Sequence, residues 1–284
     1  MQILHTAQKA REFVISLRKQ DQSFGFVPTM GALHAGHMSL IKQARKDNAI
    51  ILCSVYVNPT QFNKAEDLEK YPRNLKRDIR VLEAAGCDAL FGPSDADMYP
   101  GGKRESLSMA FGPMDKVLEG QFRPGHFSGV GLVLAKLFNI LKPDRVYLGQ
   151  KDLQQCSVVN KLVTDLCFDT ELVVVPTVRE PNGLAMSSRN ERLSAEGRQR
   201  GASLYAALQT VKAAILGGDT VHKARQKGLD LLASYPQVEV EYLEVVDRTR
   251  FVVLKGTDVA GQMAVCAAAY VEGVRLIDNV VLNS

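Results

Sequence analysis

Val27-Pro28-Thr29-Met30-Gly31-Ala32-Leu33-His34-Ala35-Gly36-His37-Met38-Ser39-Leu40 follows the apolar run Phe24-Gly25-Phe26-Val27 and precedes a segment in which Leu40, Ile41 and Ala44 recur at helical spacing. The stretch reads as a strand-to-helix turn. In an open α/β sheet, ligands bind beyond the carboxyl ends of the strands, and the helix that follows directs unpaired backbone N–H groups at them. An anion site is therefore expected here. His34 and His37 are three apart, so both imidazoles fall on one side of the first helical turn and can donate to one phosphate. Gly31 and Gly36 leave room for a triphosphate to approach the backbone. A histidine pair at this spacing also suits zinc, but no glutamate lies between the two and no Cys or third His is near, so phosphate is preferred to metal. The plain alternative is a turn with two solvated histidines, since short motifs match by accident. Its place between a strand and a helix, in a glycine-rich turn, argues against that.

Outward from this turn, Ala49-Ile50-Ile51-Leu52-Cys53-Ser54-Val55-Tyr56-Val57 is the nearly continuous apolar run of a strand buried on both faces. Strand, helix, strand begins a doubly wound parallel sheet of the α/β class. On the other side, residues 6–20 carry a helical period with Thr6 as cap. Asn58 and Gln61 follow the second strand at a carboxyl edge, where neutral amides can pair with hydroxyls and a carboxylate; a capped Asn-Pro turn explains them equally well. Residues 65–85 read as an amphipathic helix with Leu68, Leu75, Ile79 and Leu82 as its stripe, interrupted at Tyr71-Pro72-Arg73. A strand is expected at residues 87–91, then a loop in which Asp95 and Asp97 are turn formers. Residues 120–127 lack periodicity and read as a lid loop that turns Arg123 and His126 toward substrate, with solvated loop charges as the alternative. A long apolar helix (residues 130–141) leads to a strand at 145–148.

That strand runs into Gly149-Gln150-Lys151-Asp152, a second candidate site: glycine permits close approach, lysine supplies a mobile cation, and aspartate accepts from ribose or caps the next helix. Gln154 and Gln155 lie in that helix's first turn. A last parallel strand is expected over 171–178. Gly183-Leu184-Ala185-Met186-Ser187-Ser188-Arg189-Asn190 suits a loop that closes on a polyphosphate, because guanidinium binds phosphate bidentately; a linker capping the next helix is the alternative. Beyond it, helices at 194–216 and 221–234 and strands at 238–246 and 263–270 make a smaller α+β domain without a catalytic cluster.

Composition bounds the rest. The chain has 284 residues, 46% of them hydrophobic, enough to bury the cores of one large or two ordinary domains. Thirty-five Lys and Arg against 31 Asp and Glu leave +4, too balanced to suggest a nucleic-acid or membrane surface. The five cysteines are scattered without a Cys-x-x-Cys pair, so neither a disulfide framework nor a zinc knuckle is indicated. Free thiols, no apolar signal core and no apolar run of about 18 residues point to the cytoplasm.

Pro28-Thr29-Met30-Gly31-Ala32-Leu33-His34-Ala35-Gly36-His37 resembles the nucleotide-binding signature of the pantothenate synthetase (pantoate-β-alanine ligase) family, within the wider His-x-Gly-His nucleotidyltransferases. The resemblance continues through residues 57–62, Tyr71-Pro72-Arg73, residues 123–127, residues 149–152, Gln155, Met186-Ser187-Ser188-Arg189-Asn190 and Arg275-Leu276-Ile277-Asp278-Asn279, over essentially the full length. It implies a Rossmann-like ATP- and pantoate-binding domain over residues 1–178, a smaller C-terminal lid domain over 179–284, and a homodimer. It also implies the chemistry: pantoate and Mg-ATP give pantoyl adenylate and pyrophosphate, then β-alanine displaces AMP.

Carried onto this chain, the resemblance implies that Met30, Gly31, Ala32, Leu33, His34, Ala35, Gly36 and His37 hold ATP, with His37 the proton donor. Imidazolium donors aimed at the departing pyrophosphate would stabilise charge that grows in the transition state, and Lys151 would do the same. Gly149 and Asp152, beside Gln150, would hold the ribose, and Val178 would meet the adenine through its backbone. Met186, Ser187, Ser188 and Arg189 would close over the triphosphate. Gln61 and Gln155 would hold pantoate, with Asn58 in the same substrate-binding set, and Gln61 would also border the β-alanine site. Mg2+ would ride on the ATP phosphates with no protein metal site, Asp78 being the one acidic residue placed to touch its waters. Gln150 stands where the family commonly has Glu, and Ser128 where many members have Arg or an acidic residue; both neighbour the key groups without replacing them.

The nearest alternative is a nucleotidyltransferase acting on a phosphorylated acceptor. Neutral Gln61 and Gln155 suit a hydroxy acid, whereas a phosphate would call for more arginine. A regulatory nucleotide-binding module is disfavoured by the joint presence of His34, His37 and Lys151, and a nucleic-acid binder by the lack of a basic stripe.

Overall fold

Strands form where the sequence is apolar without a helical period, and they pair in parallel because helices intervene between them. The computed structural model describes residues 1–63, 65–102, 106–256 and 262–282. The chain divides into two compact units, one of Met1–Gly149 with Val158–Val175, the other of Gln150–Ser157 with Pro176–Ser284. Sequence reading puts the boundary after Val178; this division gives residues 176–178, and the stretch carrying Lys151, to the second unit.

In order, the elements through the end of the first unit are β1 (Gln2–Leu4), α1 (Ala7–Arg18), β2 (Phe24–Thr29), α2 (Ala35–Asp47), β3 (Ile50–Val55), α3 (Ala65–Glu69), α4 (Leu75–Ala84), β4 (Ala89–Phe91), α5 (Asp95–Met98), α6 (Leu118–Phe122), α7 (His126–Leu141), β5 (Arg145–Gly149), α8 (Leu153–Asp165) and β6 (Glu171–Val175). The six strands form one parallel sheet in the order β1-β4-β3-β2-β5-β6, a Rossmann-like arrangement. The order reverses between β2 and β5, and the crevice beyond the carboxyl ends of these two strands is where such sheets take ligands. The histidine turn leaves β2 there, and Gly149 ends β5. Phe24, Phe26, Val27, Ile51, Leu52 and Cys53 are wholly buried in the central strands. Each large apolar side chain so buried contributes about 1.5–3 kcal/mol.

Thr6 caps α1 as expected, its hydroxyl accepting from Lys9 N–H at 3.2 Å. Three readings need correction. The strand β1 has no counterpart in the sequence reading: it is three residues long at the sheet edge, and of these Leu4 alone is buried. Residues 120–127 are not one long loop but the end of α6 and the start of α7, joined by a three-residue turn over 123–125 with Gly125 at positive φ. The helix expected over 194–216 is divided at Ala202, which keeps helical dihedrals (φ −65°, ψ −19°) and follows Gly201, a weak helix former.

The second unit contains α9 (Ala195–Gly201), α10 (Ser203–Leu216), α11 (Val221–Ala233), β7 (Val238–Asp247), β8 (Val252–Val253), β9 (Met263–Val271) and β10 (Val274–Leu282). Its antiparallel sheet runs β10-β9-β7-β8. Glu272 and Gly273, at φ 52° and 72°, make the two-residue turn between β9 and β10, the geometry that matches strand twist in a hairpin. Leu204, Ala207, Leu208 and Val211 of α10 pack with Leu243, Val245, Val265 and Val271 of the sheet as its core.

Candidate active site

The histidine turn is held almost entirely by its own amides. Gly31 N–H donates to Thr29 Oγ1 at 3.2 Å, and that hydroxyl donates to the Ser54 carbonyl at 2.7 Å. Ala32 and Leu33 N–H donate to the two carboxylate oxygens of Asp78, at 3.1 and 3.0 Å. His34 closes the start of α2 as its cap: Gly36 N–H donates to His34 Nδ1 at 3.1 Å, and His34 N–H to His37 Nδ1 at 3.3 Å. His37 and Met38 N–H donate to the His34 carbonyl. The expected cradle of unpaired amides is therefore corrected, because these donors are consumed within the turn.

What the turn presents instead is a pair of rings, their centroids 4.1 Å apart. Each ring accepts at Nδ1, which leaves Nε2 as the nitrogen able to donate outward. Gly31 sits at φ +81°, and a Cβ there would lie 2.7 Å from Asp78 Oδ2. Glycine at this position is thus a requirement of the Asp78 clamp as much as of the turn. Asp78 is 1% exposed on α4. The sequence reading has it touching waters of Mg2+; in the structure both its oxygens serve the turn.

A second cluster in the same unit gathers the neutral amides. Asn58 is buried, and its amide nitrogen donates to Gln61 Oε1 and to the Gly129 carbonyl, both at 3.1 Å. Its Oδ1 accepts from Tyr99 at 2.6 Å and from Thr60 at 3.1 Å. Two donors and two acceptor sites are the whole capacity of a carboxamide, so Asn58 positions Gln61 in place of the direct substrate contact expected for it. Gln61 in turn donates from Nε2 to Met30 Sδ at 2.9 Å, which links this cluster to the histidine turn. His126 Nδ1 lies 2.8 Å from the Gln61 carbonyl, and Arg123 pairs with Glu119 at 3.3 Å. His126 opens the packed helix α7, and Arg123 follows the last residue of α6 in the turn between the two helices. Tyr99 escapes sequence reading; burial pushes its hydroxyl above the usual tyrosine range. Ser128, one of the departures, accepts from Met109 N–H at 2.9 Å.

In the second unit, Gln150, Lys151 and Asp152 form a single 3-10 turn before α8. The side chain of Lys151 is 18% exposed, with Nζ 3.7 Å from Asp152 Oδ1. Asn279 of β10 donates to the carbonyls of Gln150 and Lys151 and accepts from the Gln150 side chain. Gln155 is part-buried in the first turn of α8. Val178 accepts from Met186 N–H at 2.9 Å, and Arg179 pairs with Ala185 in an isolated bridge, so residues 178–186 form a small hairpin. Ser187 caps the short helix Ser188–Arg192, its hydroxyl accepting from Arg189 N–H.

A sequence profile of pantoate-beta-alanine ligase matches residues 2–281. The pantothenate synthetase of Cytophaga hutchinsonii is 47% identical over 278 residues, 97% of each chain. That of Thermotoga petrophila is 42% identical over the full length of both. Among solved structures, the pantothenate synthetase of Thermus thermophilus superposes with a TM-score of 0.92 at 40% identity over all of both chains. The pantoate-beta-alanine ligase of Francisella tularensis, solved with beta-gamma ATP and beta-alanine, gives 0.81 at 36% identity, over 99% of this chain and 97% of that one.

Proposed function

Because this chain belongs to the pantoate-β-alanine ligase family and condenses pantoate with β-alanine at the expense of ATP, we propose how its residues divide that work. In the first step a pantoate carboxylate oxygen attacks the α-phosphorus, the bond to pyrophosphate breaks, and pantoyl adenylate forms. In the second, the β-alanine amine attacks the acyl carbon, AMP leaves, and the amide of pantothenate remains.

His34 and His37 donate from Nε2 to the ATP phosphates, His37 serving the departing pyrophosphate, and residues 30–37 form the wall behind them. Preorganised donors act where charge develops, and typically supply about 10²–10³ in rate each. Lys151 adds a mobile cation for the same charge. Gly149, Gln150 and Asp152 hold the ribose, the Val178 backbone meets the adenine, and Met186, Ser187, Ser188 and Arg189 close over the triphosphate. Gln61 and Gln155 bind pantoate as neutral amides, and Asn58 acts through Gln61. Closure by the C-terminal domain, residues 179–284, would keep water from an acyl adenylate that hydrolyses readily.

Mg2+ is assigned to the ATP phosphates, which offer the hard oxygen ligands it prefers. Among the described residues, no group of three or more His, Cys, Asp or Glu is arranged to hold a metal ion. A homodimer and a cytoplasmic location complete the reading. The latter is supported by five free cysteines. No helix among the described residues is long and apolar enough to cross a membrane.

The capping box is the observation that carries this reading, because it orients two imidazoles through the same ring atom at the switch point of the sheet. The test is AMP and pyrophosphate formation from Mg-ATP, pantoate and β-alanine, omitting each acid in turn. AMP should require both acids, and His37→Ala should slow pyrophosphate release by about 10²–10⁴-fold. An undiminished rate in that variant would remove the histidine from the mechanism.

A further inference from the structure

We propose that Asn279, braced by Asp278 and Arg179, is a positioning residue for Lys151. Asn279 is 2% exposed on β10. Its Nδ2 donates to two successive carbonyls, those of Gln150 and Lys151, at 2.9 Å each, while Oδ1 accepts from Gln150 Nε2 at 3.3 Å. Two hydrogens on one nitrogen fix two consecutive peptide planes, and with them the direction in which the Lys151 side chain leaves the backbone. Of the side chains of this size, a carboxamide alone supplies that pair of donors together with an acceptor. Lysine carries about 2 kcal/mol of rotamer entropy, so a fixed base narrows where its ammonium can reach.

The brace behind Asn279 is itself over-determined. Asp278 Oδ1 accepts from Asn279 N–H at 2.7 Å. Arg179 grips Asp278 bidentately, at 2.6 and 2.9 Å, and reaches the Asn279 carbonyl at 3.3 Å. The guanidinium lies over the Tyr205 ring at 3.7 Å. Burial pushes the Asp278 carboxyl upward and the Arg179 pair opposes that shift, as expected of a buried carboxylate kept for a purpose. Arg179 also donates to the Gly183 carbonyl at 3.0 Å, so the array ties the lysine turn to the hairpin of residues 178–186. Gln150 adds a donor to Asn279 that a carboxylate in its place would lack.

The inference rests on the assignment of Lys151 to the phosphates, and the experiment separates the two. Asn279→Ala and Asn279→Asp are made in the full chain and again with Lys151→Ala. Pyrophosphate release is followed in single turnovers with Mg-ATP and pantoate alone, beside thermal unfolding. Each Asn279 variant should slow release by about 10–100-fold, the scale of an ångström-level misplacement, with the apparent KM for ATP within about threefold. In the Lys151→Ala background neither should slow it further, as for residues acting through one group. Asn279→Asp, equal in size, carries the test if Asn279→Ala does not fold. Undiminished release in the folded variants, or a full additional loss without Lys151, overturns the proposal and leaves Asn279 a stability residue. If Lys151→Ala alone leaves release unchanged, the lysine assignment falls first and the positioning role falls with it.

Discussion

The turn after β2 gathers backbone N–H groups, and Asp78 answers them with a carboxylate; the turn of residues 150–152 presents backbone carbonyls, and Asn279 answers them with amide hydrogens. The two anchors are nearly the same size and opposite in hydrogen-bonding sense. Each comes from far along the chain, Asp78 from 45 and 46 residues past its partners, Asn279 from 128 and 129. The lesson is that an Asp-to-Asn exchange, mild at the surface, is disruptive in either place, and in opposite directions.

The largest effect should come from reversing the first anchor. Asp78→Asn keeps one acceptor and turns an N–H₂ toward a buried backbone N–H. Leaving such a donor unsatisfied costs about 1–3 kcal/mol. Urea unfolding should shift by that amount, with a parallel loss of adenylation; equal stability in the variant would mean that the carboxylate is not the clamp. Gly31→Ala tests the same turn from its other side. Left-handed backbone costs an L-residue about 1–2 kcal/mol, and the new Cβ crowds Asp78 Oδ2. The melting temperature should fall less than in Asp78→Asn, and a variant with both changes should show less than the sum. Tyr99→Phe gives the smallest change. It removes one of two donors to Asn58 Oδ1, worth about 0.5–1.5 kcal/mol, so the KM for pantoate should rise up to about tenfold while kcat holds. A fall in kcat with unchanged KM would instead place Tyr99 nearer to the chemistry than to pantoate binding.

The elements to which chemistry is assigned are legible because their signals are local. Residues 24–37 announce strand, turn and helix within a few positions, and Ile50 to Val55 is unmistakably a buried strand. Anchors leave no local signal, since a hydrogen bond across 46 or 129 residues imposes no periodicity. A trace of Asp78 is nevertheless present: it occupies the apolar stripe of α4, three residues after Leu75 and four before Leu82, where a charge implies a buried partner. Asp278 and Asn279 likewise sit buried between Leu276 and Val280 of β10. Residues 120–127 mislead because α6, five residues long, is too short to show a period, and the charge on Arg123 is spent on Glu119.

The cap of α2 has one further consequence. The same nitrogens that fasten the first helical turn are those an imidazole must surrender to take a second proton. A proton added at Nδ1 of either ring would set N–H against N–H and loosen the first turn of α2. Proton loading at these nitrogens and unwinding of the helix start are therefore one event in this turn.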